Sequence, residues 1–321
     1  MKAVYQVKYG KSDVLQYGEQ NSPAMKVNEV RIKNYAASVN PRDRLIRSGR
    51  YQLQFLVPKF PLILGSDFAG EVVEVGAKVS NFKRGDQVFG MKNPSQGLAT
   101  YADEVVALER SMWLIPEGMS YIEAAGVPLC SLTAWQALVK KAKIKKGKKV
   151  LIIGAAGGVG SYGVQIAKAL GAEVAAVCSK KNEAMVSELG AYKVIDYHQQ
   201  DFLKSGECYD IIFDTIGHHS LAKCSRVLNI AGTYVSTIPN SQNLKSMIFT
   251  RFKSALYKTI KKTEVVMVKP KGDDLAEVSK LISCGHIRAV IDQVFPLQQT
   301  AEALDYSRSL RAKGKIILDM K

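Results

Sequence analysis

The apolar run Val150–Ile153 leads into a turn carrying Gly154, Gly157 and Gly160, and the turn opens a helical pattern that stops at Gly171. No other stretch constrains the fold as tightly. A helix N-terminus offers N–H groups without intrahelical partners and a partial positive charge. Glycines let an anionic ligand approach the backbone with no Cβ in the way. Val164, Ile166, Ala167 and Leu170 fall on one helical face, and a second apolar run follows at Val174–Val177. Strand, helix and strand make a crossover unit of about the ~30 residues such a unit needs. The turn has the shape that holds a dinucleotide pyrophosphate in a doubly wound parallel sheet. Its spacing is G-x-x-G-x-x-G rather than G-x-G-x-x-G. An ordinary strand-to-helix connection is therefore the plainer alternative, and the flanking pattern counts against it.

The end of the second strand chooses between dinucleotides. A site for the unphosphorylated form carries Asp or Glu about 20 residues past the glycines, bonded to the ribose 2′-hydroxyl. Here the chain reads Cys178-Ser179-Lys180-Lys181-Asn182, with no acid. Ser179 can donate to a 2′-phosphate and Lys181 can neutralise it, whereas a carboxylate would repel it. The reading is NADPH over NADH. The bland alternative is that both lysines are solvated surface charge.

Beyond Val177 the alternation continues, with strand candidates at 193–196, 211–214 and 233–238. This gives the fold class: α/β, with a doubly wound parallel sheet of Rossmann type. Before it the chain reads as strands (27–35, 68–75, 87–90 and 101–107) punctuated by glycine and asparagine. Helical patterns run from Tyr121 through Ala125 and from Thr133 to Lys141. After the sheet come a helical segment, Asp273–Gly285, and strand candidates at 289–294 and 315–320, expected to return to the first domain. The expected division is 1–125, completed by 269–321, and 126–268.

The chain carries 45 Lys and Arg against 29 Asp and Glu, a net charge of +16. Lys140–Lys149 and Lys245–Lys262 supply much of the excess. Such charge attracts nucleic acid, anionic lipid or the cofactor itself. The first cluster lacks the aromatic interleaving of an RNA-binding module, so no specific nucleic-acid partner is expected. Five scattered cysteines without a C-x-x-C pair point to a reducing cytosol rather than to a disulfide framework or zinc ribbon. The N-terminus reads as a first strand and not a signal peptide, and no apolar run approaches the ~20 residues of a membrane span. A cytoplasmic protein is expected.

Further motifs are spread along the chain: Ala37-Ser-Val-Asn40-Pro-Arg-Asp43, Arg47-Ser-Gly49, Leu64-Gly65-Ser-Asp67-Phe-Ala-Gly70, Glu71-Val-Val-Glu-Val-Gly76, Lys83-Arg-Gly-Asp86, Leu132-Thr133-Ala-Trp-Gln136, Val194-Ile-Asp196-Tyr197 and Gly314-Lys315. Together with the glycine turn they resemble, nearly end to end, the medium-chain dehydrogenase/reductase superfamily in its zinc-independent quinone oxidoreductase group. The resemblance implies a GroES-like β-barrel-type catalytic domain beside the Rossmann-type domain, with the nicotinamide in the cleft between them. It also implies a homodimer formed at the edge of the Rossmann sheet, along 233–238 or 264–268. The zinc branch of the superfamily has Cys where this chain has Asn40, and His-Glu where it has Ser66-Asp67. Asn and Ser are poor zinc ligands, and the histidines at 198, 218, 219 and 286 lie outside residues 1–125. No metal is expected.

By resemblance, Asn40 lies near the nicotinamide ribose and Thr133 bonds a ribose or phosphate. Ala156, Gly157, Gly158 and Val159 cradle the pyrophosphate. Ser179, Lys181 and Tyr197 hold the adenosine 2′-phosphate end. Ile216, Ile238 and Val266 flank the adenine or nicotinamide, Lys315 reaches the phosphates, and Tyr51 is the candidate proton donor. Structural alternatives stand beside these roles: Asn40 capping a turn, Thr133 packing in its helix, Tyr51 packing at a cleft rim, Asp67 fixing its loop. Without a metal to form an alkoxide, alcohol oxidation is disfavoured. Hydride transfer to a quinone or an α,β-unsaturated carbonyl, which spreads the incoming charge, is the reaction implied. Tyr51, Leu53, Phe55, Leu56 and Phe60 suggest an apolar wall for such a small molecule. The rivals are a non-enzymatic NADPH- or nucleic-acid-binding protein and a zinc-type alcohol dehydrogenase. One segment, Asn240–Thr263, departs from the family pattern. It places Met247, Ile248, Phe252, Leu256 and Ile260 at helical spacing opposite a basic face. It either covers the cleft or a dimer surface, or touches an anionic membrane.

Overall fold

The computed structural model describes residues 1–321 apart from Lys258, Leu310 and Arg311 and the side chains of Ala255 and Leu256. The expected contributions of Lys258 to the second basic cluster and of Leu256 to its apolar face therefore lie outside the described residues. Two units are resolved: Met1–Leu132 with Lys269–Ser283 and Ala289–Lys321, and Thr133–Val268 with Cys284–Arg288.

The first unit is mainly antiparallel sheet. Its strands are β1 (Lys2–Gln6), β2 (Gln16–Glu19), β3 (Glu29–Val39), β4 (Leu62–Ile63), β5 (Asp67–Val75), β6 (Gln87–Met91), β7 (Glu104–Leu108) and β8 (Met112–Leu114). β3 is the long central strand, paired antiparallel with both β5 and β7. Val30, Ile32, Phe68, Val72, Val88 and Val105 pack together between these strands. The period-2 pattern of β3 is what turns Val30 and Ile32 to one side. Helix α1 (Pro41–Arg47) follows β3 directly. Its Pro41 stands at the first helical position, where an N–H would find no intrahelical partner. Helices α2 (Tyr121–Ala125) and α3 (Pro128–Trp135) end this stretch.

The second unit is built on β9 (Lys149–Ile153), α4 (Gly158–Ala169), β10 (Glu173–Cys178), α5 (Glu183–Glu188), β11 (Lys193–Asp196), β12 (Tyr209–Asp214), α6 (Leu221–Cys224), β13 (Leu228–Ser236), α7 (Ser241–Leu256) and β14 (Lys262–Val265). Its six strands run parallel in the order β11-β10-β9-β12-β13-β14. This is the doubly wound arrangement, whose strand order reverses between β9 and β12. Val150, Leu151 and Ile152 are wholly buried, as a strand covered on both faces requires. Helix α8 (Gly272–Ser283), β15 (Ile291–Pro296), α9 (Thr300–Arg308) and β16 (Lys315–Asp319) then rejoin the first unit, where β16 pairs antiparallel with β3.

Several boundaries differ from the sequence reading. The strand expected from Tyr101 begins at Glu104, because Tyr101 lies in a loop, buried against Leu64 and its neighbours. The helix expected at Thr133 begins at Pro128, so the division expected at 125/126 falls at Leu132, inside α3. Cys284–Arg288 counts with the second unit. There Gln165 Nε2 donates to the Arg288 carbonyl (3.2 Å) and the Arg288 amide donates to Gln165 Oε1 (2.8 Å).

Candidate functional site

The carboxyl ends of the six parallel strands gather most of the candidate residues. At the reversal point, Gly154 has φ +78°, a left-handed conformation that glycine adopts without strain. The Thr215 hydroxyl donates to the Ile153 carbonyl (2.8 Å), and the Gly157 amide donates to the Gly154 carbonyl (3.1 Å). These bonds turn the chain so that α4 starts at Gly158, with no acidic residue in its first turn. Its leading N–H groups are left for a ligand, as at any helix start. A Cβ at Gly160 would stand 2.1 Å from the Gly154 carbonyl oxygen, so Gly160 serves the contact between helix and strand. A Cβ at Gly157 would meet only that oxygen, at 3.5 Å. Its absence leaves an open cradle that the protein's own packing does not require. Ala156 lies buried beneath, and Val159 and Gly158 are half-buried.

Ile216 and Ile238 follow β12 and β13 and remain 47% and 38% exposed, an apolar shelf over the strand ends. The buried Asp214 carboxylate sets that shelf, accepting from the amides of Ile216 (3.0 Å), Gly217 (2.7 Å) and His219 (3.1 Å) and from the Tyr234 hydroxyl (2.9 Å). Burial alone would push the Asp214 carboxyl up, but the hydrogen bonds from His219, Gly217 and Tyr234 hold it below the ordinary carboxylate range. Val266 departs from expectation. Its amide donates to the Ser236 carbonyl, extending the strand pairing, and its side chain is buried, so it offers no flank to a ligand. Thr133 is buried on α3.

Past the end of β10 the two lysines part. Lys180 pairs with Glu183, while Lys181 is exposed. The Ser179 hydroxyl accepts from Asn182 Nδ2 (3.2 Å), which leaves its own proton to donate. Asn182 was not singled out in the sequence reading. Its Oδ1 is buried with no partner among the described residues, an acceptor that only a donor can satisfy. Its only sequence signal is that it follows the lysines where an acid is absent. Tyr197 follows β11, 58% exposed, with its ring tilted against His198 at 4.3 Å between centroids. Its amide bonds the Cys178 carbonyl, which sets it next to Ser179. Open amides, an uncovered glycine, the Ser179 proton and a lysine with no ion pair among the described residues fit a dinucleotide.

The first unit holds Asn40 and Lys315 together, and both are corrections. Asn40 is 1% exposed, with its amide committed at both ends: Nδ2 donates to Asp67 Oδ2 (2.9 Å) and Oδ1 accepts from Lys315 Nζ (2.7 Å). It is not free to bond a ribose. Lys315 is 3% exposed and turned inward, with Nζ 3.7 Å from Asp67 Oδ2, so it does not reach outward to phosphates. Asp67 also accepts from the Ser38 hydroxyl (2.5 Å) and the Leu129 amide (2.8 Å), the loop-fixing role. Beside it, Asp43 accepts from the Asn40 amide (2.8 Å) and the Tyr101 hydroxyl (2.8 Å). Burial pushes the Asp43 carboxyl up to about 6, against the pull of Arg42 and of the Tyr101 hydrogen bond.

This cluster does not fit a zinc ion. Asn40 and Ser66 are weak donors, the Ser66 hydroxyl is taken by Arg42 Nε (2.9 Å), and the Lys315 ammonium already supplies a cation. Among the described residues no three His, Cys, Asp or Glu side chains converge to hold a metal.

Tyr51 is half-buried and packs against the cluster of Val4, Ile46, Leu62 and Leu64. Of the expected apolar wall, Phe55 is 80% exposed and Phe60 packs edge-on against Tyr9 at 4.8 Å. Strand β13 is flanked by β12 and β14 and has no free edge, so 233–238 cannot pair with a second copy. β14 is the outer strand, and part of it is covered by α7, whose Thr250 hydroxyl accepts from the Thr263 amide (3.1 Å). On α7 the apolar residues Ile248, Phe249 and Phe252 are exposed; Phe249, missed in the sequence reading, carries Lys253 over its ring at 4.4 Å.

The family described as zinc-binding dehydrogenase matches residues 189–318, and the alcohol dehydrogenase GroES-like domain matches residues 26–117. The chain is 33% identical to the mitochondrial NAD(P)H oxidoreductase RTN4IP1 of Mus musculus, across 98% of this chain and 87% of the relative. That relative's name places it in the mitochondrion, so the family spans more compartments than the cytosol expected from the cysteines. The quinone oxidoreductase of Coxiella burnetii superposes with a TM-score of 0.90 at 30% identity, covering 100% of this chain and 99% of that one. The Escherichia coli quinone oxidoreductase complexed with NADPH gives 0.82 at 26% identity, covering 99% and 100%. With the fold, the strand-end site and these relatives in agreement, the chain belongs to the medium-chain dehydrogenase/reductase superfamily, in its NAD(P)H-dependent quinone oxidoreductase-like group.

Proposed function

We propose that this chain is a metal-independent NADPH reductase acting on a quinone or an α,β-unsaturated carbonyl. The observation that carries the cofactor choice is the end of β10, where Ser179 keeps a free hydroxyl proton and Lys181 makes no ion pair among the described residues. NADPH, when bound, supplies the hydride; the protein supplies placement. The α4 amides and the Gly157 cradle would receive the pyrophosphate. Ser179, Lys181, Asn182 and Tyr197 would receive the adenosine 2′-phosphate end, and Ile216 and Ile238 the apolar rings. Thr133 would bond the nicotinamide side. Asn40, with Asp67 and Lys315, acts in this reading by holding the chain between β3 and α1 in place, not by touching the cofactor. The acceptor's proton would come from solvent or from Tyr51, and full turnover in Tyr51→Phe would leave solvent as the source. The deciding experiment measures oxidation of NADPH and of NADH with an ortho-quinone and an enone. Turnover favouring NADPH is expected. No turnover with any acceptor, together with salt-sensitive RNA binding that displaces NADPH, would instead favour the non-enzymatic rival.

Two partner readings go with it. A homodimer would form along β14 and its extension Val266–Val268, and light scattering showing single chains only would remove it. The exposed Ile248, Phe249 and Phe252 beside Lys245 and Lys253 favour a peripheral contact of α7 with anionic lipid. Vesicle sedimentation of Phe252→Asp tests that contact, and unchanged binding would count against it.

A further inference from the structure

In the first unit a second basic feature shares no lining residue with the Asn40–Asp67–Lys315 cluster or with Tyr51. A cavity of about 350 Å³ is lined by Lys11, Arg44, Arg47, Arg50 and Arg308, with Leu45 among its few apolar residues. Arg44 and Arg47 come from α1, Arg308 ends α9, and Lys11 precedes the short turn Ser12–Val14. Arg47 is 4% exposed, and its Nε and Nη1 are buried with no hydrogen-bond partner among the described residues. Its carbonyl is taken by Gln6 Nε2 (3.2 Å) and the Gly10 amide (3.3 Å), which holds the 6–10 segment against α1. Burial pulls the guanidinium's pKa down, Asp305 and Asp13 oppose, and Arg44 and Arg308 add to the lowering. Asp305 itself accepts from Ser12 Oγ (2.6 Å) and makes no ion pair with Arg47 among the described residues. Buried donors without acceptors are costly, and cations of one sign facing one cavity repel. A multivalent anion would relieve both penalties.

We propose that this cavity is an accessory site for a phosphoryl oxyanion, a phosphate monoester or diphosphate whose oxygens complete the hydrogen bonding of Arg47. A guanidinium fork matches phosphate oxygens in pairs, and Arg44, Arg50 and Arg308 balance the remaining charge. The site is independent of hydride transfer.

The test is calorimetric titration with inorganic pyrophosphate, in phosphate-free buffer, on protein saturated with NADPH so that the glycine turn is filled. One site per chain is expected. Arg308→Gln should weaken it roughly tenfold, and Arg44→Gln with Arg308→Gln should abolish it while turnover with NADPH and quinone persists. Asp305→Asn, which removes an opposing carboxylate, should tighten it several-fold. Absence of heat, equal affinity in the double variant, or weaker binding in Asp305→Asn overturns the proposal. Sedimentation with phosphatidylcholine vesicles containing phosphatidic acid separates the sources. Pelleting that depends on Arg308 assigns a lipid headgroup; pyrophosphate binding that depends on Arg308, without such pelleting, assigns a soluble phosphate.

Discussion

The glycine turn of the second unit and the Asn40–Asp67–Lys315 cluster of the first handle polar groups in opposite ways. The turn leaves donors open: the first amides of α4, the Lys181 charge, the Ser179 proton. The cluster closes on itself, with the Asn40 amide used at both ends and Asp67 accepting from Ser38, Asn40 and Leu129. Open polar groups at strand ends are where a ligand can complete the hydrogen bonding. Closed, buried ones fix a conformation. The contrast also reassigns Lys315, which the family resemblance sends to the phosphates and the structure sends into the core.

Replacing Lys315 with methionine should therefore show the largest effect, and on stability. Removing one partner of a buried ion pair strands the other, at a cost of about 3 kcal/mol or more. The denaturant midpoint should fall, while the protein that remains folded binds NADPH with affinity unchanged within about twofold. Preserved stability with lost NADPH affinity would break the comparison and restore Lys315 as a phosphate ligand.

Asp43, in the same closed region, gives a pH signature of similar size. Its folded pKa of about 6 lies above the ordinary carboxyl value of 3.8, so between these values the folded chain holds a proton that the unfolded chain has lost. Its contribution to stability is complete below about pH 4 and disappears as pH rises through about 6, a total of about 3 kcal/mol. Asp43→Asn should flatten that part of the stability–pH curve. An unchanged slope would show that Asp43 does not titrate in this window.

These two regions were unequally legible from sequence. The strand–turn–helix at 150–171 is written in adjacent residues, and the periods of strand and helix suffice to find it. The Asn40–Lys315 bond joins positions separated by 275 in the chain, and nothing local at either end announces it. Asn182 is hidden differently: its orphaned oxygen depends on burial, which no residue type declares. Val266 is drawn into the sheet because pairing with β13 continues one residue past the end of β14, and burial there follows from sheet register. Phe249 was passed over because only the packing of α7 on β14 decides which apolar residues face out.

Within the open site, two glycines separate packing from ligand binding. Gly160→Ala forces a Cβ against backbone and should cost about 2 kcal/mol of stability. Gly157→Ala has room in the protein, and its φ of −79° suits alanine. Its stability should stay within about 0.5 kcal/mol, while NADPH affinity falls because the new methyl occupies the cradle. Equal losses of stability in both variants would remove Gly157 from the ligand surface.

The smallest effect, and the finest test of the open site, lies in the neighbouring lysines. Lys180 already spends its charge on Glu183, and Lys181 does not. Lys181→Ala should weaken NADPH about tenfold at low salt and leave NADH affinity alone, whereas Lys180→Ala should change either by less than about twofold. Both lysines are exposed, so added salt should shrink the Lys181 effect as screening sets in. Glu183→Gln releases Lys180 and should give it part of the role that Lys181 holds. Should Lys180→Ala instead cost more than Lys181→Ala, the ion pair with Glu183 must open when the cofactor binds. The 2′-phosphate would then be selected by competition for a paired lysine rather than by a charge already left free.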